Sequence, residues 1–211
     1  HFSPFIGGLE NMVFDLATEQ AKKHEVSVLT LQYNKNLSKT KTSNHFKIIR
    51  HPCYSLLKNR YTIPKKSFCD NVAKTSPDII FTHTRFFLTS FLGGYYTKKK
   101  YPEIKWIHVE HGQNFVRSDS FFIVFFARIF DFFLGKWIFK NADKIVVFSE
   151  KGSAFAQGLG ALKEKIVIIP NGIKIPQKTK PIPRKNKALF FGRIIPEKGI
   201  LEILEAAKSS P

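Results

Sequence analysis

The chain reads as an α/β protein of the doubly wound kind, a Rossmann-like parallel sheet covered by helices on both faces. Three observations predict it. Short apolar, β-branched runs alternate with helical periodicities from Glu25 to Ile169. Those runs are nearly continuous in apolar character, as strands buried on both faces are. Near the end, Phe190 to Gly199 joins an apolar run, a glycine, two cations and the start of a new helical pattern.

Each element follows in order. Leu9, Met12, Val13, Leu16, Ala17 and Ala21 keep the i, i+3, i+4, i+7 spacing of one helix face, which predicts a helix over residues 9–23 with Gly7-Gly8 at its start. Glu25 to Leu31 and Phe46 to Ile49 read as strands, and the polar residues 32–45 between them as a surface loop. Strands are predicted at Asp78 to Thr82, Ile104 to Val109, Lys144 to Phe148 and Lys165 to Ile169. Helices are predicted between them at residues 85–98, 119–140 and 150–159. Only His1 to Phe5 precede the glycines, where such a sheet ordinarily opens with a strand, so that strand is expected upstream of His1.

Pro170-Asn171-Gly172 is turn chemistry, and the proline-rich stretch after it reads as a linker. A further strand is predicted at Lys187 to Phe191. The expected organisation is an N-terminal domain over residues 1–172, a linker over 173–186, and the first strand and helix of a second Rossmann-like domain over 187–211.

Composition bounds the function. Hydrophobic residues make up 43 % of the 211, enough for a packed core. Cys53 and Cys69 lack metal-ligand spacing and read as reduced thiols of a cytoplasmic protein. The formal charge of +18 is compatible with nucleic acid, an anionic membrane surface or anionic substrates. No zinc-finger spacing or RNA-binding aromatic strand accompanies it, so nucleic acid is not expected.

Residues 121–139 are dominated by phenylalanine, with Arg128, Asp131 and Gly135 on one narrow stripe. A buried core helix is the favoured reading. The alternative is an aromatic face pressed into a membrane interface.

Four places carry chemistry. Gly7-Gly8 at a helix N-terminus leaves amides and a positive dipole end for an anion. His108-Val109-Glu110-His111-Gly112 lies at the carboxyl end of a strand, where open α/β sheets bind ligands. Alternation sends His108 and Glu110 to one face and His111 to the other or into the loop. A zinc pair of His108 and His111 lacks an evident third ligand, so no metal is assigned. Ser149 closes a strand at the same edge and also reads as a helix cap. Arg193 offers a planar fork and Lys198 a point charge to phosphate oxygens, beside a helix from Gly199 whose Ile200, Ile203, Leu204 and Ala207 are expected to face inward.

The chain resembles the family-4 retaining glycosyltransferases of the GT-B fold. The resemblance rests on Pro4 to Glu10, His24 to Thr30, His111-Gly112, Ala142 to Ser149, Ile169 to Ile173 and Phe191 to Gly199, in that order. It implies two Rossmann-like domains facing across a cleft and transfer of a hexose-type sugar from a nucleotide-sugar donor to a glycan or lipid-linked acceptor, with retention. No metal or other cofactor is obligatory. By the resemblance Arg193 and Lys198 contact the donor diphosphate, Gly7 and Gly8 close over it, and His111 sits by the transferred sugar as the catalytic candidate. The family's C-terminal glutamate pair is expected beyond Pro211, so residues 1–211 alone are expected to be inactive. The expected location is cytoplasmic, with a peripheral position at the inner face of the plasma membrane as a further option. The rival reading is a non-catalytic basic module, binding membranes or nucleic acid, on a Rossmann scaffold.

Overall fold

The computed structural model describes residues 2–5, 7–56, 61–118, 120–172, 189–192 and 199–209. The chain divides into two compact units, His1–Asn171 and Gly172–Pro211.

The first unit opens with α1 (Gly8–Gln20), capped by Gly7 in an extended conformation. Val13, Ala17 and Ala21 of the predicted stripe pack inward, joined by Phe14, which lies outside that stripe. Val13, Phe14 and Ala17 pack with Phe2, Phe46 and Ile48. Strand β1 (Ser27–Leu31) pairs in parallel with β3 (Phe46–His51), and β2 (Thr40–Ser43) pairs antiparallel with β3. The expected loop over residues 32–45 therefore contains a strand. Its side chains are polar because it is an exposed edge, which hides it from any hydrophobic pattern. The turn after it has Asn44 at φ 47° and His45 at φ 69°, the two positive angles a tight hairpin requires. A separate hairpin, β4 (Cys53–Leu56) with β5 (Tyr61–Pro64), and the short α2 (Phe68–Lys74) follow.

The second half is the parallel α/β layer. Strands β6 (Ile79–His83), β7 (Lys105–Val109), β8 (Lys144–Val147) and β9 (Ile166–Ile168) lie in that order, all parallel. Helices α3 (Leu88–Lys100) and α6 (Glu150–Gly158) flank them. Trp106, Ile138, Phe139, Ala142, Ile145, Val147 and Ala156 are fully buried between sheet and helices. Gly94 lets α3 cross the Trp106 indole, which a Cβ there would strike. The expected Rossmann-like α/β architecture is present as a mixed α/β fold with a four-stranded parallel sheet flanked by helices. Among the described residues its strands pair as three separate sheets.

The predicted long helix over 119–140 is α4 (Phe121–Phe130), one π turn at Asp131–Gly135, and α5 (Lys136–Asn141). Its favoured burial is overturned. Phe121, Phe122, Phe126, Phe132 and Phe133 are 62–73 % exposed. Only one side of the helix can meet the protein, and that side carries Val124, Ala127, Asp131 and Gly135. Asp131 and Gly135 are buried, while Arg128 is exposed, so the three do not share one environment.

In the second unit, α7 (Ile200–Ser209) follows Gly199, whose φ of 69° favours glycine. The stripe expected to face inward is open: Ile203 and Leu204 are 41 % and 52 % exposed. An amphipathic helix buries its stripe only against a second layer, and no strand packs on α7 among the described residues. Residues 189–191 of the predicted strand are not in a strand. The linker expected over 173–186 lies outside the described residues, as do Arg193 and Lys198.

Candidate functional site at the carboxyl edge of the parallel sheet

Three parallel strands end together and deliver their next residues to one place. Register pairs Thr82 with His108 and Val109 with Val146. The edge is held by backbone bonds beyond the strands, from the amide of Thr84 to the carbonyl of Val109 and from that of Glu110 to the carbonyl of Val146, both 2.9 Å. This brings Thr84 and Arg85, Glu110 to Gly112, and Phe148 and Ser149 to one rim. Thr84 sits at φ 64°, a left-handed conformation costly for a β-branched residue. That turn directs Arg85 back beneath the rim.

Arg85 is the centre of a buried ionic cluster. It is 1 % exposed, as are Glu110 and Asp131. Its Nη1 donates to Glu110 Oε1 at 2.9 Å and its Nε to Asp131 Oδ1 at 2.6 Å. Its Nη2 reaches the carbonyl of Asn114 at 3.2 Å, and its backbone amide donates to Glu110 Oε2 at 3.1 Å. Glu110 also accepts from the Gly112 amide at 2.6 Å. Gly112 is required by this approach: a Cβ would stand 2.7 Å from Arg85 Nη1 and 2.9 Å from Glu110 Oε1. The buried cation is held by both carboxylates and the Asn114 carbonyl, and Glu110 by two backbone amides besides, which offsets the cost of removing these charges from water. Burial raises the Glu110 pKa, but hydrogen bonding to His108 and the charges of His108 and Arg85 outweigh it, and the carboxyl stays ionised below its usual value.

Alternation along β7 works as expected. His108 and Glu110 share a face, with His108 Nε2 3.3 Å from Glu110 Oε2. The chain continues inward: Trp106 Nε1 donates to Thr82 Oγ1 at 2.8 Å, and Thr82 Oγ1 lies 2.9 Å from His108 Nδ1. The indole N–H of Trp106 fixes the donor at one end of this chain, and the Glu110 carboxylate accepts from His108 Nε2–H at the other.

His111 leaves that face. Its Nε2 lies 3.3 Å from His83 Nδ1, and the Phe148 ring stands edge-on to it at 5.0 Å. Burial lowers the pKa of His111 to about 4, with Glu110 opposing and His108 assisting. Burial and the neighbouring His111 and His108 lower that of His83 to about 3. Both rings are neutral near pH 7. One donates to the other, and the pair offers uncharged nitrogen donors and acceptors at the rim, the chemistry that holds a sugar hydroxyl. Among the described residues no group of three or more His, Cys, Asp or Glu could hold a metal ion.

Ser149 is a helix cap here. Its Oγ accepts from the Gly152 amide at 3.1 Å, opening α6. Gly7 and Gly8 lie at the start of α1 as expected, but the Glu10 side chain folds back against Gly7. A small cleft beside them is lined by Ser3, Pro4, Phe5, Glu10, Asn11 and Phe14, and His111 is not in its wall. Arg85 and Asp131, the residues that organise the rim, are absent from the sequence expectations as site residues. One signal was present: an acid isolated among phenylalanines, if buried, is stabilised only by a cation partner.

The Rossmann-like layer with its open edge at the strand ends defines a class of α/β proteins that bind ligands at that edge, and comparison narrows it. Residues 6–176 match the model of Glycosyltransferase Family 4, and the chain belongs to that family. An uncharacterised glycosyltransferase of Methanocaldococcus jannaschii is 30 % identical over a 231-residue alignment covering 100 % of this chain and 58 % of the relative. The chain therefore spans a little over half the length of that relative. Sucrose-phosphate synthase from Thermosynechococcus elongatus superposes with a TM-score of 0.55 at 20 % identity, over 79 % of this chain and 43 % of that one. That likeness establishes a shared GT-B fold.

Proposed function

We propose that the intact protein transfers a hexose-type sugar from a nucleoside-diphosphate sugar to a glycan or lipid-linked acceptor, with retention of anomeric configuration. Membership of the family supports the transferase class. The observation that carries the site is His111, a neutral imidazole at the carboxyl edge of the parallel sheet, fixed by a loop tied to Arg85 through Glu110 and Gly112. In this reading His111 hydrogen-bonds the sugar being transferred. Gly7 and Gly8 close over the diphosphate, and Arg193 and Lys198 neutralise it as it departs, with helix N-termini assisting and no metal required. The location that goes with this reading is cytoplasmic, with a lipid-linked acceptor drawing the enzyme to the inner face of the plasma membrane.

The test uses the full-length protein with a panel of nucleotide-sugars. Arg193→Ala and Lys198→Ala are each expected to lower kcat about 100-fold or more, the usual cost of removing one preorganised donor from a developing charge. The anomeric proton coupling of the product reads retention. Unchanged kinetics in both variants overturns the donor assignment, and an inverted product overturns the retaining mechanism.

A further inference from the structure

The aromatic helix is built inside out for a protein surface in water. Its inner side carries Val124, Ala127, Phe130, Asp131, Leu134 and Gly135, of which only Phe130, against Phe86, and Leu134 are large. Its outer side carries Phe121, Phe122, Phe125, Phe126, Phe132 and Phe133, each 47–73 % exposed. Spacings of three and four residues set these six rings, with Ile129, on adjacent rows of one face. A contiguous apolar face of this size marks an interaction surface.

The electrostatics of the same face choose the partner. Between Ser120 and Asn141 the one acid is Asp131, and it is buried on Arg85. The cations stay at the surface: Arg128 and Lys140 are exposed and Lys136 is half-buried. Arg128 lies 3.7 Å from the centre of the Phe115 ring, and the Lys136 ammonium 5.4 Å from that of Phe132. Arg128 and Lys136 line a cleft of about 430 Å³ with Phe125, Ile129, Phe132 and Phe133. Apolar rings beside long cations, with no exposed acid between Ser120 and Asn141, complement an anionic interface that is hydrocarbon beneath and phosphate above.

We infer that α4 and the following π turn lie in the plane of an anionic phospholipid bilayer, with the phenylalanines at the headgroup–acyl boundary and Arg128 and Lys136 on lipid phosphates. Among the described residues no helix is long and apolar enough to cross a membrane. The Asp131–Arg85 pair anchors the helix to the protein from below, so it lies on the surface as a fixed ledge. This inference deepens the peripheral placement proposed above and names the surface that makes it.

The experiment is flotation of the full-length protein with phosphatidylcholine vesicles and with vesicles that also contain phosphatidylglycerol. The expected result is co-flotation with the anionic vesicles only, weakened by salt. Phe125→Ser/Phe126→Ser is expected to lower the partition about tenfold or more, and Arg128→Gln/Lys136→Gln to remove the preference for anionic lipid. Circular dichroism melts of the same variants confirm that they fold. A distant pair, Lys22→Gln/Lys23→Gln, is expected to float like the parent. Failure of the parent to float, equal flotation on both vesicle types, or no loss in the phenylalanine variant overturns the inference. So does a lipid-free dimer that the phenylalanine variant converts to monomer, because that face is then covered by a second copy. Flotation is read without donor sugar, so its failure leaves the transferase reading to its own kinetic test.

Discussion

His83 and His111 touch at 3.3 Å, and both titrate well below an ordinary imidazole. Burial is the main cause in each case. The consequence for stability follows from linkage. The unfolded rings take up protons near pH 6.5, whereas the folded ones resist until about pH 4 and about pH 3. Below pH 6.5 the unfolded chain binds more protons, so stability is full above that pH and falls as the pH drops toward 3. The melting temperature of the parent is expected to decline through this window. In His83→Gln/His111→Gln the decline is expected to be shallower, measured by thermal melts from pH 7 to pH 4. An identical slope in parent and variant counts against buried neutral rings. The place of His111 just past the carboxyl end of β7 was legible because an apolar run precedes it and a glycine follows. Its partner was not legible: His83 is 28 positions away and reaches it only when β6 and β7 pair.

At the scale of elements, the Arg85 cluster joins the turn after β6, the loop after β7 and the helix that follows. Breaking a buried ionic pair from one side leaves an uncompensated charge, typically worth about 3–5 kcal/mol. Glu110→Ala is expected to destabilise the protein by that order in urea unfolding. Arg85→Met/Glu110→Gln/Asp131→Leu, which removes all the charges together, is expected to recover much of the loss. Failure of the triple variant to recover would show that the cluster is held by more than charge balance. The helix it anchors shows how a pattern misleads. An apolar run with a stripe of Arg128, Asp131 and Gly135 predicts burial of the rings, because water normally takes the polar stripe. Asp131 and Gly135 of that stripe face inward because Asp131 has Arg85 to meet, while Arg128 stays exposed, and hydrophobicity alone does not say which side meets the protein. The edge strand β2 was missed for a related reason. A strand that buries neither face has no apolar alternation to detect, and only the turn at Asn44-His45 hints at it.

At the scale of the whole molecule, two units follow one another, and the chain spans 58 % of its Methanocaldococcus relative. The parallel layer from β6 to α6 and the order of its motifs were legible from sequence. Continuous apolar strands and periodic helices are local signals that tertiary contacts reinforce. Family membership was legible for the same reason, since the motifs are short and ordered along the chain. Three decisions belonged to the tertiary structure: that Arg85 lies buried between two carboxylates, that His83 meets His111, and that the phenylalanines face outward. Each depends on which residues from distant segments come together. Sequence spacing carries direction along one element, whereas burial and pairing are settled only when elements pack against one another.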